Sequence, residues 1–310
     1  MIIKILGSGA GGGFPQWNCN GIHSSAVRAG KPGYRARTQS SLAVSADGRN
    51  WVLLNASPDL RQQIADNPEL HPDKTGPLRN SPIKAAVLTN ADVDHIVGLI
   101  NLRERQPFSI YGSDRVLATI KANSIFDVCA QDIVPRITLP LGEKIELTGD
   151  GADLGLTVEA FAVSGKIALF LEKGGEDTNY GSRDGDTIGL EITDDKTGKS
   201  FFYVPGCAEV DAPLAKKIKG AELIFFDGTL FTDNEMIDQG LMQKTGQRMG
   251  HISMSGPEGS LEVFKPLGIK RRIYVHINNS NPALDENSQA RKDIESAGWE
   301  VGYDGMEVRL

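Results

Sequence analysis

The chain contains 310 residues, of which 40% are hydrophobic and 24% are charged, and its formal net charge is −7. This composition is typical of a folded globular protein and not of a disordered chain. An acidic balance disfavours nonspecific binding to nucleic acid or to anionic membranes, because such binding normally needs a basic surface. We therefore expect no nucleic-acid partner and no membrane partner.

Two features of the sequence indicate a cytoplasmic protein. The N-terminal apolar run, residues 2–6, contains Lys4 and suits a first strand better than a signal peptide. The three cysteines, Cys19, Cys129 and Cys207, are far apart and odd in number, which disfavours a disulfide framework and favours a reducing compartment. No run approaches the roughly 20 apolar residues that a bilayer span requires.

Short apolar runs rich in β-branched and aromatic residues predict strands along the whole chain, and helix-like segments lie between some of them. The predicted strands are 2–6, 42–44, 51–54, 85–88, 108–111, 156–162, 201–204, 223–226 and 273–275. The predicted helices are 58–65, 94–105, 115–123, 212–219, 257–264 and 288–297.

This mixture predicts an α/β fold in which two packed sheets are flanked by helices. The early half of the chain is rich in strands and hairpins, and the later strands alternate with helices. We find no fixed-period repeat and no evident linker, so we predict one domain over residues 1–310. The pattern alone leaves a single doubly wound sheet open.

The strongest chemical signal lies where a buried strand ends and a predicted helix begins. Asp92, Asp94 and His95 place two carboxylates and an imidazole around the first helical turn. A carboxylate in this position often caps a helix, which would explain one aspartate. It does not explain a second aspartate together with a histidine, so the segment favours a metal site.

Three further residues stand in short polar segments after apolar runs, where reactive groups are usually displayed. Asp227 follows the run 223–226, while His251 and His276 belong to two later loops. An aspartate after a strand is often only a turn former. Four such sites in one chain favour a shared function. We interpret the remaining histidines, His23 and His71, as ordinary surface residues.

The order Asn-x-Asp-x-Asp-His, then Asp, then His, is similar to the His-x-His-x-Asp-His pattern of the metallo-β-lactamase superfamily. The resemblance implies a metallo-β-lactamase-like four-layer αββα sandwich with metals at one rim. It also implies that the first metal site is altered, because Asn90 and Asp92 replace its two leading histidines and the region around Lys166 supplies none. The residues that match the second metal site are Asp94, His95, Asp227 and His276.

Along nearly its whole length the chain resembles a narrower family, the B proteins of pyrroloquinoline quinone (PQQ) biosynthesis. That family usually carries a Cys-x-Cys-x-x-Cys cluster, of which this chain keeps Cys19 but has Gly21 and Ser24 at the other two places. We expect no structural zinc there, since such sites need four soft or imidazole ligands and only His23 stands nearby. The matching segments are residues 6–19, 54–59, 92–99, 226–229 and 276–282.

The resemblance implies a non-haem iron-dependent hydroxylase that uses Fe(II) and O2 on the tyrosine ring of a Glu-Tyr-derived PQQ precursor. Two histidines and one carboxylate are the usual ligands of such iron. We expect His251 to serve as a proton donor or phenol partner, although a buried hydrogen-bonded histidine is an equal alternative. Asp92 is expected to bind substrate or to support the ligands. The candidate substrate-binding residues are Asn90, Asn278, Asn279 and Ser280.

Other interpretations stay open at this point. A metal-dependent hydrolase would need a second metal, and a noncatalytic carrier would bind the finished quinone. The partner in each case is a small molecule or dipeptide, and a homodimer is also left open. The run Gly7 to Gly12 satisfies the dinucleotide-binding pattern G-x-G-x-x-G, but Pro15 interrupts the helix that this role requires. We predict a turned loop near the active-site rim instead.

Overall fold

Two β-sheets pack face to face, and helices cover their outer faces. The computed structural model describes residues 1–172 and 183–310, and within these ranges each sheet has seven strands. The first sheet has the order β14-β1-β2-β3-β4-β5-β6, and the second has the order β13-β12-β11-β10-β9-β8-β7. The strands of the first sheet are Ile2–Gly7 (β1), Ser41–Ser45 (β2), Trp51–Leu54 (β3), Ile83–Val87 (β4), Ser109–Gly112 (β5), Arg136–Thr138 (β6) and Glu307–Arg309 (β14). Those of the second are Lys144–Gly149 (β7), Ala152–Ala162 (β8), Ile188–Asp194 (β9), Ser200–Val204 (β10), Leu223–Asp227 (β11), Arg271–Val275 (β12) and Glu300–Val301 (β13).

The core between the sheets follows from the two-residue period of the strands. In β8 the alternate residues Leu154, Leu156 and Val158 are buried, while the residues between them are less buried. These side chains meet inward-facing residues of the first sheet, such as Val44 and Val87, in one hydrophobic cluster. Since successive side chains of a strand point to opposite faces, the other residues of each strand are left to contact the helices.

Helices form the two outer layers. The α-helices are Ile22–Arg28 (α1), Leu60–Asp66 (α2), Val93–Ile96 (α3), Asp114–Ala122 (α4), Ala212–Ile218 (α5), Glu235–Asp238 (α6), Ser260–Val263 (α7) and Gln289–Ser296 (α8). The 3-10 helices are Pro68–Leu70, Val97–Leu102, Ser124–Val128, Leu169–Leu171, Gln247–Met249, Lys265–Leu267 and Pro282–Leu284. One outer cluster joins α2 and α4 to the first sheet, and a second joins α5 and α8 to the other sheet. The predicted αββα sandwich is thereby confirmed.

One predicted helix, residues 94–105, is much shorter than expected. The α-helix α3 ends at Ile96 and continues as the 3-10 helix Val97–Leu102. Gly98 explains the change, because its N–H donates to Ala56 O at 2.9 Å and a Cβ there would lie 2.0 Å from Ser57 O. Tertiary packing against the segment after β3 therefore overrides local helix propensity.

The helices within the described residues do not combine the length and apolar character that a membrane span requires. Seven further elements lie outside the predicted ones: β6, β7, β9, β13, β14, α1 and α6. Most of them are short, but β9 has seven residues in which Ile188, Leu190 and Ile192 alternate as buried apolar side chains, so its two-residue period was visible in the sequence.

The glycine-rich segment after β1 is a turned loop, as the sequence predicts. Gly9 forms parallel bridges with both Gln39 and Ile277, so the loop lies between the segment before β2 and the segment after β12. The Asp304 carboxylate fixes the loop, because Oδ1 accepts the Ser8 N–H at 2.9 Å and the Ser8 hydroxyl at 2.7 Å. Its Oδ2 accepts the Thr38 N–H at 2.6 Å and the Thr38 hydroxyl at 2.8 Å.

We expect Asp304→Asn to lower the free energy of unfolding by about 3 kcal/mol, because an amide cannot accept all four of these hydrogen bonds. Urea denaturation measures this loss. Asp153→Asn is the matched control, since Asp153 is exposed and accepts one N–H, from Gly155 at 2.8 Å, and should change stability by less than about 0.5 kcal/mol. Equal losses in the two variants would contradict the role of Asp304.

Candidate metal centre

Three side chains from two distant parts of the chain meet at the rim of the sandwich. The ligand atoms of Asp94, His95 and His276 all lie within 4.8 Å of one another. The Asp94 Oδ2 atom is 3.2 Å from His276 Nε2 and 3.6 Å from His95 Nε2. This separation suits three ligands of one cation, because each donor atom lies about 2 Å from a metal such as zinc.

His95 is oriented by Asn90. The His95 Nδ1 atom lies 2.8 Å from Asn90 Oδ1, which also accepts the Asp92 N–H at 2.9 Å. An amide oxygen only accepts, so the hydrogen-bond network assigns the proton to Nδ1 and leaves the Nε2 lone pair exposed to the site. Within the described residues His95 Nε2 is buried and has no hydrogen-bond partner. A buried acceptor in this state fits a metal ligand.

His276 is oriented by Thr229. Its Nδ1 atom lies 2.8 Å from the Thr229 hydroxyl, which also lies 2.6 Å from Asp227 Oδ1. The carboxylate can only accept, so Thr229 donates its one proton to Asp227 and accepts the Nδ1–H of His276. His276 has a φ of 59°, a left-handed conformation that costs energy for a non-glycine residue and often marks functional sites.

Asp227 anchors this part of the centre from a fully buried position. Its Oδ1 also accepts the Thr229 N–H at 3.0 Å. Its Oδ2 accepts the Cys207 N–H at 2.9 Å and lies 2.7 Å from His251 Nδ1. Asp227 lies with His251 and His276 in a second cluster whose ligand atoms are within 4.8 Å. The use of Asp227 as a fourth metal ligand stays a prediction, because its Oδ2 atom would have to leave the Cys207 N–H and His251 Nδ1 to reach a metal.

His251 stacks on His276, with ring centroids 5.2 Å apart and an interplanar angle of 23°. Its Nδ1 donates to Asp227, so Nε2 is the nitrogen available for other contacts. In all three imidazoles the protein thus holds Nδ1 by a hydrogen bond, while His276 Nε2 lies 3.2 Å from Asp94 Oδ2.

The charges of the centre stabilise one another despite burial. Burial opposes ionisation of Asp94, but the His95 and His276 imidazoles hold the pKa of its carboxyl well below the usual range. Burial alone would lower the pKa of His276, but the neighbouring Asp94 and Asp227 carboxylates raise it above its ordinary value. For His95 burial dominates and lowers the pKa. A neutral His95 is the form that binds a metal.

A cavity of about 460 Å³ opens over these ligands. Asp92, Asn278 and Asn279 line it, as does the neutral side chain of Asn90. Asp92 is at the N-cap position of α3, but its side chain accepts no capping hydrogen bond from the helix. Helix capping therefore does not explain the presence of an aspartate at this position. The wall also carries three methionines, Met236, Met242 and Met249.

Ser280 does not lie at the cavity surface, in contrast to the other predicted substrate-binding residues. It is fully buried, and its hydroxyl donates to Glu235 Oε1 at 2.6 Å. Burial raises the pKa of Glu235 to about 7. Direct contact between Ser280 and a substrate would require breaking this hydrogen bond.

The glycine-rich loop forms one side of the cavity through Ala10, Gly11 and Gln16. A Cβ at Gly11 would lie 3.4 Å from the Asp94 carboxylate, so the loop backbone approaches the ligand closely. Gln16 Oε1 accepts a hydrogen bond from Asn279 Nδ2 at 2.5 Å. The loop thus contributes to the candidate site through backbone shape and one amide contact.

Our interpretation of His23 as a surface residue is wrong. His23 is 9% exposed and its Nδ1 lies 3.3 Å from the Tyr34 hydroxyl, because helix α1 turns it inward. His71 is exposed, as expected. Cys19 is buried beside the cavity, and its sulfur accepts the Gly21 N–H at 3.3 Å.

Sequence reasoning missed the positioning role of Thr229 and the placement of Lys166 in the cavity wall. Thr229 stands two residues after Asp227, a spacing that allows the hydroxyl to reach the carboxylate. The resemblance to the superfamily matched the region around Lys166 to a metal-ligand position, but it gave no role to the Lys166 side chain, which lines the cavity.

Comparisons with known proteins identify the family of this chain. The beta-lactamase superfamily domain matches residues 50–277. Coenzyme PQQ synthesis protein B of Gluconacetobacter diazotrophicus is 47% identical over 307 residues, covering 99% of this chain and 98% of that protein. The protein of the same name from Rhodopseudomonas palustris (strain ATCC BAA-98 / CGA009) is 49% identical over 310 residues, covering 99% of both.

Two solved structures are similar to this chain along nearly its whole length. The crystal structure of Zn²⁺-bound PqqB from Methylobacterium extorquens has 47% sequence identity and a TM-score of 0.94, and the match covers 100% of both chains. A diphosphatase from the PhnP family, at 19% identity and a TM-score of 0.67, covers 99% of this chain and 96% of its own and shares the fold. The chain therefore belongs to the beta-lactamase superfamily and, within it, to the family of coenzyme PQQ synthesis protein B.

Proposed function

We propose that the protein acts in PQQ synthesis as an iron-dependent hydroxylase of the tyrosine ring in a Glu-Tyr-derived precursor. The observation that supports this proposal is the set of two imidazoles and one carboxylate, from His95, His276 and Asp94, beside an open cavity. Two histidines and one carboxylate on one face of the metal are typical of non-haem Fe(II) oxygenases.

The donor set accepts several divalent ions. Nitrogen and oxygen ligands suit zinc as well as iron, and a PqqB structure from Methylobacterium extorquens is described as Zn²⁺-bound. Zinc has no redox chemistry, so we assign the activity to Fe(II), which would activate O2 at the site. Each oxygen atom inserted into the ring leaves the second atom of O2 to be reduced to water, so the reaction also consumes two electrons from an external reductant.

The chain's own residues then bind and orient the substrate. Asn90 and Thr229 hold the two histidines in one tautomer, which keeps the ligand geometry fixed before substrate arrives. His251 lines the cavity with its Nδ1 held by Asp227. Its Nε2 is then the atom that exchanges a proton with the substrate phenol. Asp92 lines the same cavity and serves as a polar contact for the substrate.

A hydrolase with two metals has less support. Its first site would need donors at positions 90 and 92, yet the Asn90 oxygen is already bound to His95 Nδ1 at 2.8 Å. A noncatalytic carrier of PQQ would bind the quinone equally well after chelation of the metal.

We expect His276→Ala to abolish Fe(II) binding, because the change removes one of the three clustered ligands. Anaerobic calorimetric titration with Fe(II) measures this. His71→Ala is the control, since His71 is exposed and outside the cluster. Full retention of iron by His276→Ala would rule out the proposed ligand set.

We expect Thr229→Val to weaken metal binding about 10–100-fold while leaving all three ligands in place, because outer partners of ligating histidines typically contribute that much. The variant Thr229→Ser keeps the hydroxyl and should restore affinity. If Ser and Val bound metal equally, the hydroxyl would have no positioning role.

The activity is tested by anaerobic reconstitution with Fe(II), followed by addition of ¹⁸O2, glutamyl-tyrosine and ascorbate as the two-electron reductant. Mass analysis should show ¹⁸O in the aromatic ring, with oxygen consumed. A hydrolase would consume no oxygen and would cleave the peptide. Unaltered peptide after full iron loading would contradict the hydroxylase proposal.

A further inference from the structure

The cavity over the metal centre is lined by charges of both signs. Its acidic groups are the Asp92 and Asp94 carboxylates. Among the described residues that line it, Lys166 alone has a permanently positive side chain. A substrate in this cavity therefore meets a cation at one place and the metal ligands at another.

The backbone around Lys166 is held by both neighbouring loops. Its backbone oxygen accepts the Thr187 hydroxyl at 3.0 Å, and Thr187 forms a backbone bridge with Asn90, the residue that orients His95. The Lys166 stem packs on Gly250, where a Cβ would lie 3.0 Å from Lys166 Cγ. Gly250 has a φ of 86° and directly precedes His251. The position of this lysine is therefore coupled to both histidine loops.

Within residues 1–172 and 183–310 the ammonium group of Lys166 is only loosely paired. Lys166 Nζ lies 3.8 Å from Glu172 Oε1, which exceeds the length of a direct hydrogen bond. Glu172 is shared, because its carboxylate also lies 3.3 Å from Lys244 Nζ and 3.9 Å from Arg248 Nη1. The Glu172 carboxylate is therefore not a partner of Lys166 alone.

We propose that Lys166 binds a carboxylate of the substrate and that Glu172 is its partner in the absence of substrate. The ligand class is a phenol that also bears a carboxylate, whose charge is held at Lys166 while the ring lies beside the metal ligands. A carboxylate that approaches Nζ directly forms a shorter, charge-assisted hydrogen bond than the pair with Glu172. This inference rests on the proposed function for the phenol ring, while the carboxylate site is independent of turnover.

Binding to the zinc-loaded protein tests the proposal without catalysis. The two probes are glutamyl-tyrosine and its dicarboxamide, glutaminyl-tyrosinamide, and calorimetry gives their dissociation constants. We expect the wild type to bind the dicarboxylate at least about tenfold more tightly than the dicarboxamide, with the difference shrinking at high salt. We expect Lys166→Met to lose this preference with no change in dicarboxamide affinity.

The variant Glu172→Gln should change the affinity for the dicarboxylate in the opposite direction. It removes the competing carboxylate, so the dicarboxylate should bind about threefold or more tightly than to the wild type, with unchanged dicarboxamide affinity. Lys166→Arg keeps the charge and should retain a preference for the dicarboxylate. Lys270→Met is the control, because Lys270 is an exposed lysine paired with Glu222 and its loss should leave both affinities unchanged. Thermal melting establishes that each variant is folded.

Three results would overturn the proposal: equal affinity of the wild type for the two probes, no detectable binding of either, or a preference that survives in folded Lys166→Met. The proposed function fails separately. Selective binding that depends on Lys166, together with no ¹⁸O incorporation by the iron-loaded enzyme, would contradict the hydroxylase activity and leave the carboxylate site supported.

Discussion

The metal centre depends on the single proton of the Thr229 hydroxyl. Because Asp227 can only accept, that proton goes to the carboxylate, and the hydroxyl oxygen is left to receive the Nδ1–H of His276. The same carboxylate receives Nδ1–H of His251. One buried aspartate thus fixes the Nδ1 atoms of two histidines, directly for His251 and through Thr229 for His276, and the Nε2 atom of His276 lies 3.2 Å from Asp94 Oδ2. Such outer partners fix ligand orientation before a metal arrives.

A similar hydrogen bond after strand β4 of the first sheet orients the third histidine, His95. Asn90 occupies a place where the superfamily pattern has a metal-binding histidine, and in this chain its amide oxygen accepts from His95 Nδ1. The replacement therefore converts a ligand position into a positioning residue. This change favours one metal over two and supports a chemistry other than binuclear hydrolysis. The sequence family, the donor set and the cavity are consistent with that interpretation.

The cavity wall combines a glycine-rich loop, three methionines and one lysine. The glycine-rich loop approaches Asp94 with its backbone, since a Cβ at Gly11 would be in van der Waals contact with the Asp94 carboxylate at 3.4 Å. The methionines supply an apolar wall suited to an aromatic ring, and Lys166 contributes a cationic side chain to the same cavity. A ligand with a phenol ring and a carboxylate matches this distribution. The network around Asp304 holds the loop in place from behind.

The sequence pattern by itself predicted an α/β fold and most of the strands, because strand periodicity is a local property. The resemblance to the superfamily then predicted the αββα sandwich and the candidate ligands Asp94, His95, Asp227 and His276. The sequence pattern also indicated the turned glycine loop. Only the tertiary structure decided the short α3 helix, which is limited by packing at Gly98, and the burial of His23. The pairing of Thr229 with His276 required the folded chain, since a hydrogen bond between residues 47 positions apart leaves no local pattern. The presence of Lys166 in the cavity wall was likewise visible only in the folded chain.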